Sequence, residues 1–291
     1  MSSVTVDEAA LAPKRRYPAW TAIRRNPTIF VGAVILAGLV LMAVFAPLIA
    51  GDPLRMSPVD RLRPPSAEFW FGTDQYGRDV YSRTVYGARV SLTVGILVAL
   101  AATAIGLTIG LVCGYFRKID AVVMRIMDGI MAIPSILLAI ALITLTKPGL
   151  KIVIVAIIIP EVPRIVRLVR SVVLSIREQP YVESAIAGGT RGGKLLVGHI
   201  LPNTFAPIIV QSSYVCASAM LVEASLSFLG AGVPPEIPSW GNIISQGRTF
   251  FQIAPWSILI PGAFLTVTIL SVNLFGDGLR DRLDPRLARR L

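Results

Sequence analysis

Ile29 to Ala50 is a run of 22 residues without a charged side chain. As a helix it extends about 33 Å, against a hydrocarbon core of about 30 Å. A helix satisfies its backbone donors and acceptors within its own segment, as the interior of a bilayer requires. Five more apolar blocks follow, at about Val90–Tyr115, Ile126–Thr146, Leu150–Pro163, Ala206–Leu229 and Pro255–Gly276. The fold expected is an all-α membrane protein of six transmembrane helices. Composition agrees, with 54% hydrophobic and 15% charged residues, where a soluble domain carries about 25% charged.

Six spans put both termini on one side. With that side cytoplasmic, it carries 19 Lys and Arg residues against nine on the other, the asymmetry expected of cytoplasmic termini. The organisation read from the chain is an N-terminal cytoplasmic tail over residues 1–28 and a six-helix domain over 29–277. An extracytoplasmic loop spans 51–89, a cytoplasmic loop 164–205 and a C-terminal cytoplasmic tail 278–291. The fourth block is short and holds Lys151, Pro160, Glu161 and Pro163. It is expected to extend through Ile165, Val166 and Leu168 with its arginines reaching the interface. Pro134, Pro160, Pro163, Pro207 and Pro261 each remove a backbone donor and favour a kink.

The net charge of +11 then belongs to a membrane protein's cytoplasmic rim and points to anionic lipid headgroups. A nucleic-acid partner is not expected, since no folded domain is available to present a basic face. Cys113 and Cys216 lie in separate apolar blocks and read as buried thiols. His199 is the single histidine, which leaves no His-rich metal site, and no catalytic set assembles. Intramembrane chemistry would fall to Asp128, Glu161 and Glu223, because carboxylates at membrane depth commonly face a cavity or a partner. Asp128 and Glu161 also fit solvated positions near span ends, whereas Glu223 is deeper.

The stretch "YVESAIAGGTRGGKLLVGHILPN", Tyr181 to Asn203, contains G-x-x-x-x-G-K from Gly188 to Lys194. A phosphate-binding loop has Ser or Thr after the lysine and a strand before the glycines. Here Leu195 follows, and the residues before are polar and helix-prone, so a nucleotide site is not expected. A short helix from Pro180 to about Ala187, ended by Gly188 and Gly189, fits the local signals. A second helical piece is expected from Thr190 toward Leu201, before Pro202 and Asn203 restart the chain into the fifth span. Small residues at Ser184, Ala185, Ala187, Gly188 and Gly189 would let a partner approach the backbone closely.

These residues carry a resemblance. "ESAIAGGTRGGKLLVGHILP" resembles the cytoplasmic EAA loop of binding-protein-dependent ABC importers, with Glu183, Ala185, Gly189, Leu201 and Pro202 matching its pattern and Ser184 and His199 departing from it. "FGTDQYGRDVYSRTVYGARVSL", Phe71 to Leu92, resembles the signature of the dipeptide, oligopeptide and nickel permease family, specifically its C-type subunit. "VEASLSFLGAGVPPEIPSWGNII" and "NLFGDGLRDRLDPRL" are similar to later segments of that subunit.

The resemblance implies a type I ABC importer permease fold with a cytoplasmic coupling helix. It further implies a B-type permease partner, two ATPase subunits that hold ATP and magnesium, an extracytoplasmic binding protein and a bacterial cytoplasmic membrane. Tyr181, Glu183, Ser184, Ala185, Gly188, Gly189, Leu201 and Pro202 would contact the ATPases, and the chain itself would be neither an enzyme nor a cofactor holder. Short peptides are the favoured cargo, with nickel complexes and opines carried by relatives. Gly72, Thr73, Asp74, Gly77, Arg78, Asp79, Ser82 and Arg83 form the extracytoplasmic signature, read either as a surface receiving the binding protein or as turn and cap residues holding the loop. The reading from another class is a self-powered transporter or channel using Glu161 or Glu223.

Overall fold

The computed structural model describes residues 27–146, 149–190 and 192–283; residues 1–26, Lys147, Pro148, Arg191 and the last eight residues lie outside them. Nine helices account for most of the described chain: α1 (Pro27–Val44), α2 (Val80–Tyr115), α3 (Arg117–Met131), α4 (Ser135–Thr144), α5 (Leu150–Arg177), α6 (Pro180–Ala187), α7 (Gly193–Phe228), α8 (Trp240–Gly247) and α9 (Trp256–Leu283). Among the described residues the β-structure is one isolated bridge, Thr73 to Asp79.

Three helices, α2, α7 and α9, are each long and apolar enough to cross a membrane, and α3 with α4 makes a fourth when taken as one bent span. The sequence leads to a third span over Ile126–Thr146 with a kink at Pro134; there the chain breaks outright, and α3 and α4 meet at 86°. Pro134 explains the break, because its ring excludes α conformation from the residue before it and its nitrogen donates no bond. The other four prolines named above lie inside continuous helices. Pro160 and Pro163 are buried in α5, where neighbouring helices support the freed carbonyls. The fourth block is therefore a helix of 28 residues, reaching well past Leu168.

Pro202 likewise does not restart the chain. Leu196 to Ile200 is a π turn in which the Leu201 N–H reaches back to the Leu196 carbonyl. That wider turn carries the helix through Pro202, so the expected second piece and the fifth span are one helix of 36 residues.

The tightest seam joins α2 to α5, which run parallel. Gly106, Gly110 and Gly114 form a ridge without side chains, and Ile165, Val169 and Val173 settle on it in turn; a Cβ at any of the three glycines would come within 2.6 Å of the facing Cβ. Without a hydrophobic force between helices in lipid, such close backbone approach is a main source of association. The antiparallel α7 packs on α2 nearer its start, with Met220 and Cys216 against Gly95.

Gly278 near the end of α9 lies against Ile29 at the start of α1, so the two ends of the described chain share one end of the bundle. Gly51 donates to Ser82 Oγ at 3.0 Å, joining the exit of α1 to the start of α2 at the opposite end. Cys113 is buried and Cys216 half-buried, both as free thiols, as the sequence suggests.

Candidate functional site

At the end of the bundle shared by the chain ends, α6 stands on the surface. Pro180 occupies its first turn, where a missing N–H costs nothing. Val182 is fully buried and pins the helix, while Tyr181 and Ile186 are 45% and 46% exposed. Glu183 and Ser184 are also exposed and Ala185 is half-buried. The helix closes in a Schellman motif: the Gly189 N–H bonds the Ile186 carbonyl and the Thr190 N–H the Ala185 carbonyl, both at 2.9 Å. Gly189 has φ +87°, a left-handed conformation that glycine adopts without strain.

Six of the eight coupling candidates thus share one short helix and its cap. Leu201 and Pro202 do not join them; they lie within α7, beyond its π turn. The G-x-x-x-x-G-K stretch runs from the cap of α6 into the first turn of α7. A helix precedes it, where a phosphate loop has a strand.

Both stems of this loop meet the end of α2. Arg177, the last residue of α5, donates from Nη1 to the carbonyls of Gly114 at 2.9 Å and Tyr115 at 3.4 Å, and its guanidinium lies 5.6 Å from the Tyr115 ring centre. The Gly192 N–H donates to Tyr115 Oη at 3.1 Å. Two further ion pairs, Arg170 to Asp120 and Arg167 to Asp128, hold α3 against α5.

At the opposite end the Gly72–Arg83 segment folds into a buried ionic knot. Asp74 Oδ1 accepts the N–H groups of Tyr76 at 2.8 Å and Arg78 at 3.0 Å. Its Oδ2 pairs with Arg78 Nε at 2.7 Å and Arg83 Nη1 at 3.4 Å. Both arginines donate to Gln246 Oε1 on α8, at 2.5 and 3.2 Å. Asp79 caps α2 by accepting from the N–H groups of Tyr81 and Ser82. Trp256 donates to the Thr73 carbonyl at 3.1 Å. Gly77 is required twice over, with φ +71° and a position where a Cβ would fall 1.8 Å from the Ser57 carbonyl oxygen. This geometry supports the turn-and-cap reading of Gly72 to Arg83, which ties the loop to α2, α8 and α9.

The three carboxylates singled out by depth do not converge. Asp128 is exposed and paired with Arg167 at 2.5 Å. Glu161 is only 2% exposed, between Arg164 at 3.2 Å and Ser218 Oγ at 3.3 Å, so a solvated position does not describe it. Glu223 is fully buried and its Oε1 accepts from Ser227 and Ser239, each at 2.8 Å. Ser239 in turn accepts the Asn242 N–H at the start of α8, which makes Glu223 a brace between α7 and α8. Glu223→Ala would strand two buried hydroxyls and open a cavity, for an expected loss of about 3 kcal/mol. Thermal denaturation in detergent measures it, and an unchanged midpoint would refute the brace.

The sequence reading missed Tyr115, Arg177 and Gln246, whose roles arise from contacts between distant segments. It also passed over the glycine ridge, although G-x-x-x-G-x-x-x-G is legible as helix-packing spacing.

The described residues thus form an apolar multi-helix bundle with an exposed, capped helix at one end and a knotted loop at the other. Among solved structures, the MetNI methionine ABC transporter in an inward-facing form matches at a TM-score of 0.59 and 20% identity, over 69% of this chain and 96% of that one. The chain belongs to the family described as binding-protein-dependent transport system inner membrane component, whose model matches residues 106–289. The N-terminal TM domain of oligopeptide transport permease C matches residues 18–65.

A chain of Sinorhizobium fredii named as a probable peptide ABC transporter permease is 55% identical over 99% of both chains. A dipeptide transport system permease protein of Alkalihalophilus pseudofirmus is 44% identical over 96% of this chain and 91% of its own. This is a multi-pass ABC permease subunit, of the C type among peptide permeases.

Proposed function

We propose that this subunit crosses the cytoplasmic membrane six times with both termini inside and, with a homologous B-type permease, encloses the pathway for short peptides. One of two ATPase subunits docks on α6, and the two together hold the ATP and magnesium; an extracytoplasmic binding protein delivers the peptide. The observation that carries this reading is α6 itself: a capped helix with Tyr181 and Ile186 exposed, at the end of the bundle that the Lys and Arg asymmetry assigns to the cytoplasm. Closure of the ATPases around ATP moves α6 as a rigid body and switches the bundle between inward- and outward-facing states. A self-powered transporter has less support, because Asp128, Glu161 and Glu223 sit on separate helices and Glu223 is braced by two serines.

The test is reconstitution with the four partners. Peptide-loaded binding protein is expected to stimulate ATP hydrolysis and ATP-dependent uptake. In intact cells a cysteine at exposed Ser66 reacts with an impermeant thiol reagent, and one at exposed Ser175 does not. Uptake without ATPases, or the reverse labelling, would overturn the reading.

A further inference from the structure

The loop that carries α6 has two stems, one leaving α5 at Arg177 and the other entering α7 at Gly192. Each is fastened to the same residue of a third helix. Arg177 grips the carbonyls of Gly114 and Tyr115 and lies over the Tyr115 ring, and Gly192 donates its N–H to the Tyr115 hydroxyl. Those carbonyls belong to the last turn of α2, where no intrahelical donor remains, so Arg177 satisfies groups that would otherwise need water. The charge of Arg177 also lies at a helix C-terminus, where a cation is favoured. Tyr115 is half-buried and braced edge-on by Phe116 at 4.9 Å, which fixes the direction of its hydroxyl.

We propose that Tyr115 and Arg177 form a latch through which displacement of α6 is passed into α2, and that both are positioning residues for energy coupling. The inference rests on the reading of α6 as the ATPase-docking helix. Chain connectivity already joins α6 to α5 and, through Gly192, to α7. The latch adds α2, whose other end carries Asp79, Ser82 and Arg83 of the ionic knot. One helix of 36 residues therefore spans from the driven end of the bundle to the loop that faces the opposite side. Without the latch, that helix would follow α6 only indirectly, through side-chain packing.

The reconstituted complex tests this through the amount of peptide imported per ATP hydrolysed, a ratio that a merely stabilising contact would leave alone. Tyr115→Phe deletes one oxygen and keeps the ring; the ratio is expected to fall about fivefold, as for one neutral hydrogen bond. Arg177→Ala, which releases both carbonyls, lowers it about tenfold or more, and Arg177→Lys restores part of the loss. A photo-crosslinker attached to a cysteine at Ser184 reports separately on docking. A crosslink to an ATPase together with unaltered ratios in Tyr115→Phe and Arg177→Ala overturns the latch alone. Absence of the crosslink overturns the docking reading and the latch with it. Should Tyr115→Phe fail to assemble, the Arg177→Ala and Arg177→Lys pair decides: equal ratios in the two, matching the unaltered complex, sink the proposal.

Discussion

Gly110→Leu is expected to deplete the folded subunit from the membrane and abolish uptake. A Cβ at Gly110 would stand 2.6 Å from Val169 Cβ, 2.8 Å from its Cγ1 and 3.0 Å from the Val166 carbonyl oxygen. None of these is the end of a flexible chain, so the helices must separate. Separation also strips contact from the Gly106–Ile165 and Gly114–Val173 pairs on either side. Overpacking in a tight core costs about 1–3 kcal/mol for extra methylenes, and a leucine introduces four carbons. Lipid offers no compensating hydrophobic gain, since its tails are as apolar as the residue displaced. Gly110→Ala should fall between, at about 2 kcal/mol. Gly129→Leu on α3 is the control, because nothing lies within 4 Å of its added Cβ. Denaturation in detergent and the amount recovered from membranes measure the effect. Equal stability of Gly110→Leu and Gly129→Leu would show that the seam does not hold the bundle together.

Gly189→Trp is expected to leave the subunit in the membrane yet cut uptake more than tenfold by releasing the ATPases. Two effects combine. The left-handed backbone at φ +87° costs a non-glycine residue about 1–2 kcal/mol, which loosens the Schellman cap and the end of α6. The added ring also projects into open space, since nothing lies within 4 Å of the Cβ position, and would fill the approach that Ala185 and the glycines keep clear. Gly189→Asn, which tolerates the left-handed region, separates the two and should retain most of the activity. Normal uptake by Gly189→Trp with ATPases attached would remove α6 from the docking surface.

The sequence was legible where local rules decide the outcome. The start of α6 at Pro180 and its end at Gly188 follow from the N1 preference of proline and the cap preference of glycine, and the structure places both as expected. The apolar blocks likewise located the long helices. Pro202 was read less well: it was expected to restart the chain, but a missing hydrogen bond that breaks a helix in water is tolerated where other helices surround it. Pro134 broke its helix, whereas Pro160, Pro163, Pro202, Pro207 and Pro261 did not. Glu161 resisted interpretation because its neighbour Ser218 lies 57 residues away. Tyr115 was hidden for the same reason, its partner Gly192 being 77 residues distant. Asp74 was flagged by its motif, but Gln246, which closes the knot, carries no local signal at all.

The ridge of α2 is toothed as well as tight. Its glycines recur every fourth residue, a step of about 6 Å along the helix, and Ile165, Val169 and Val173 repeat with the same pitch. Sliding α2 along α5 by less than a whole step would drive branched side chains onto the backbone between notches. The pair therefore behaves as a meshed rack, free neither to creep nor to change register by small amounts. Sliding of α5 along its axis must carry α2 in step, whereas the teeth leave tilt and rotation of the pair unconstrained. Compliance has to come from joints without such teeth, and the 86° corner between α3 and α4 is one.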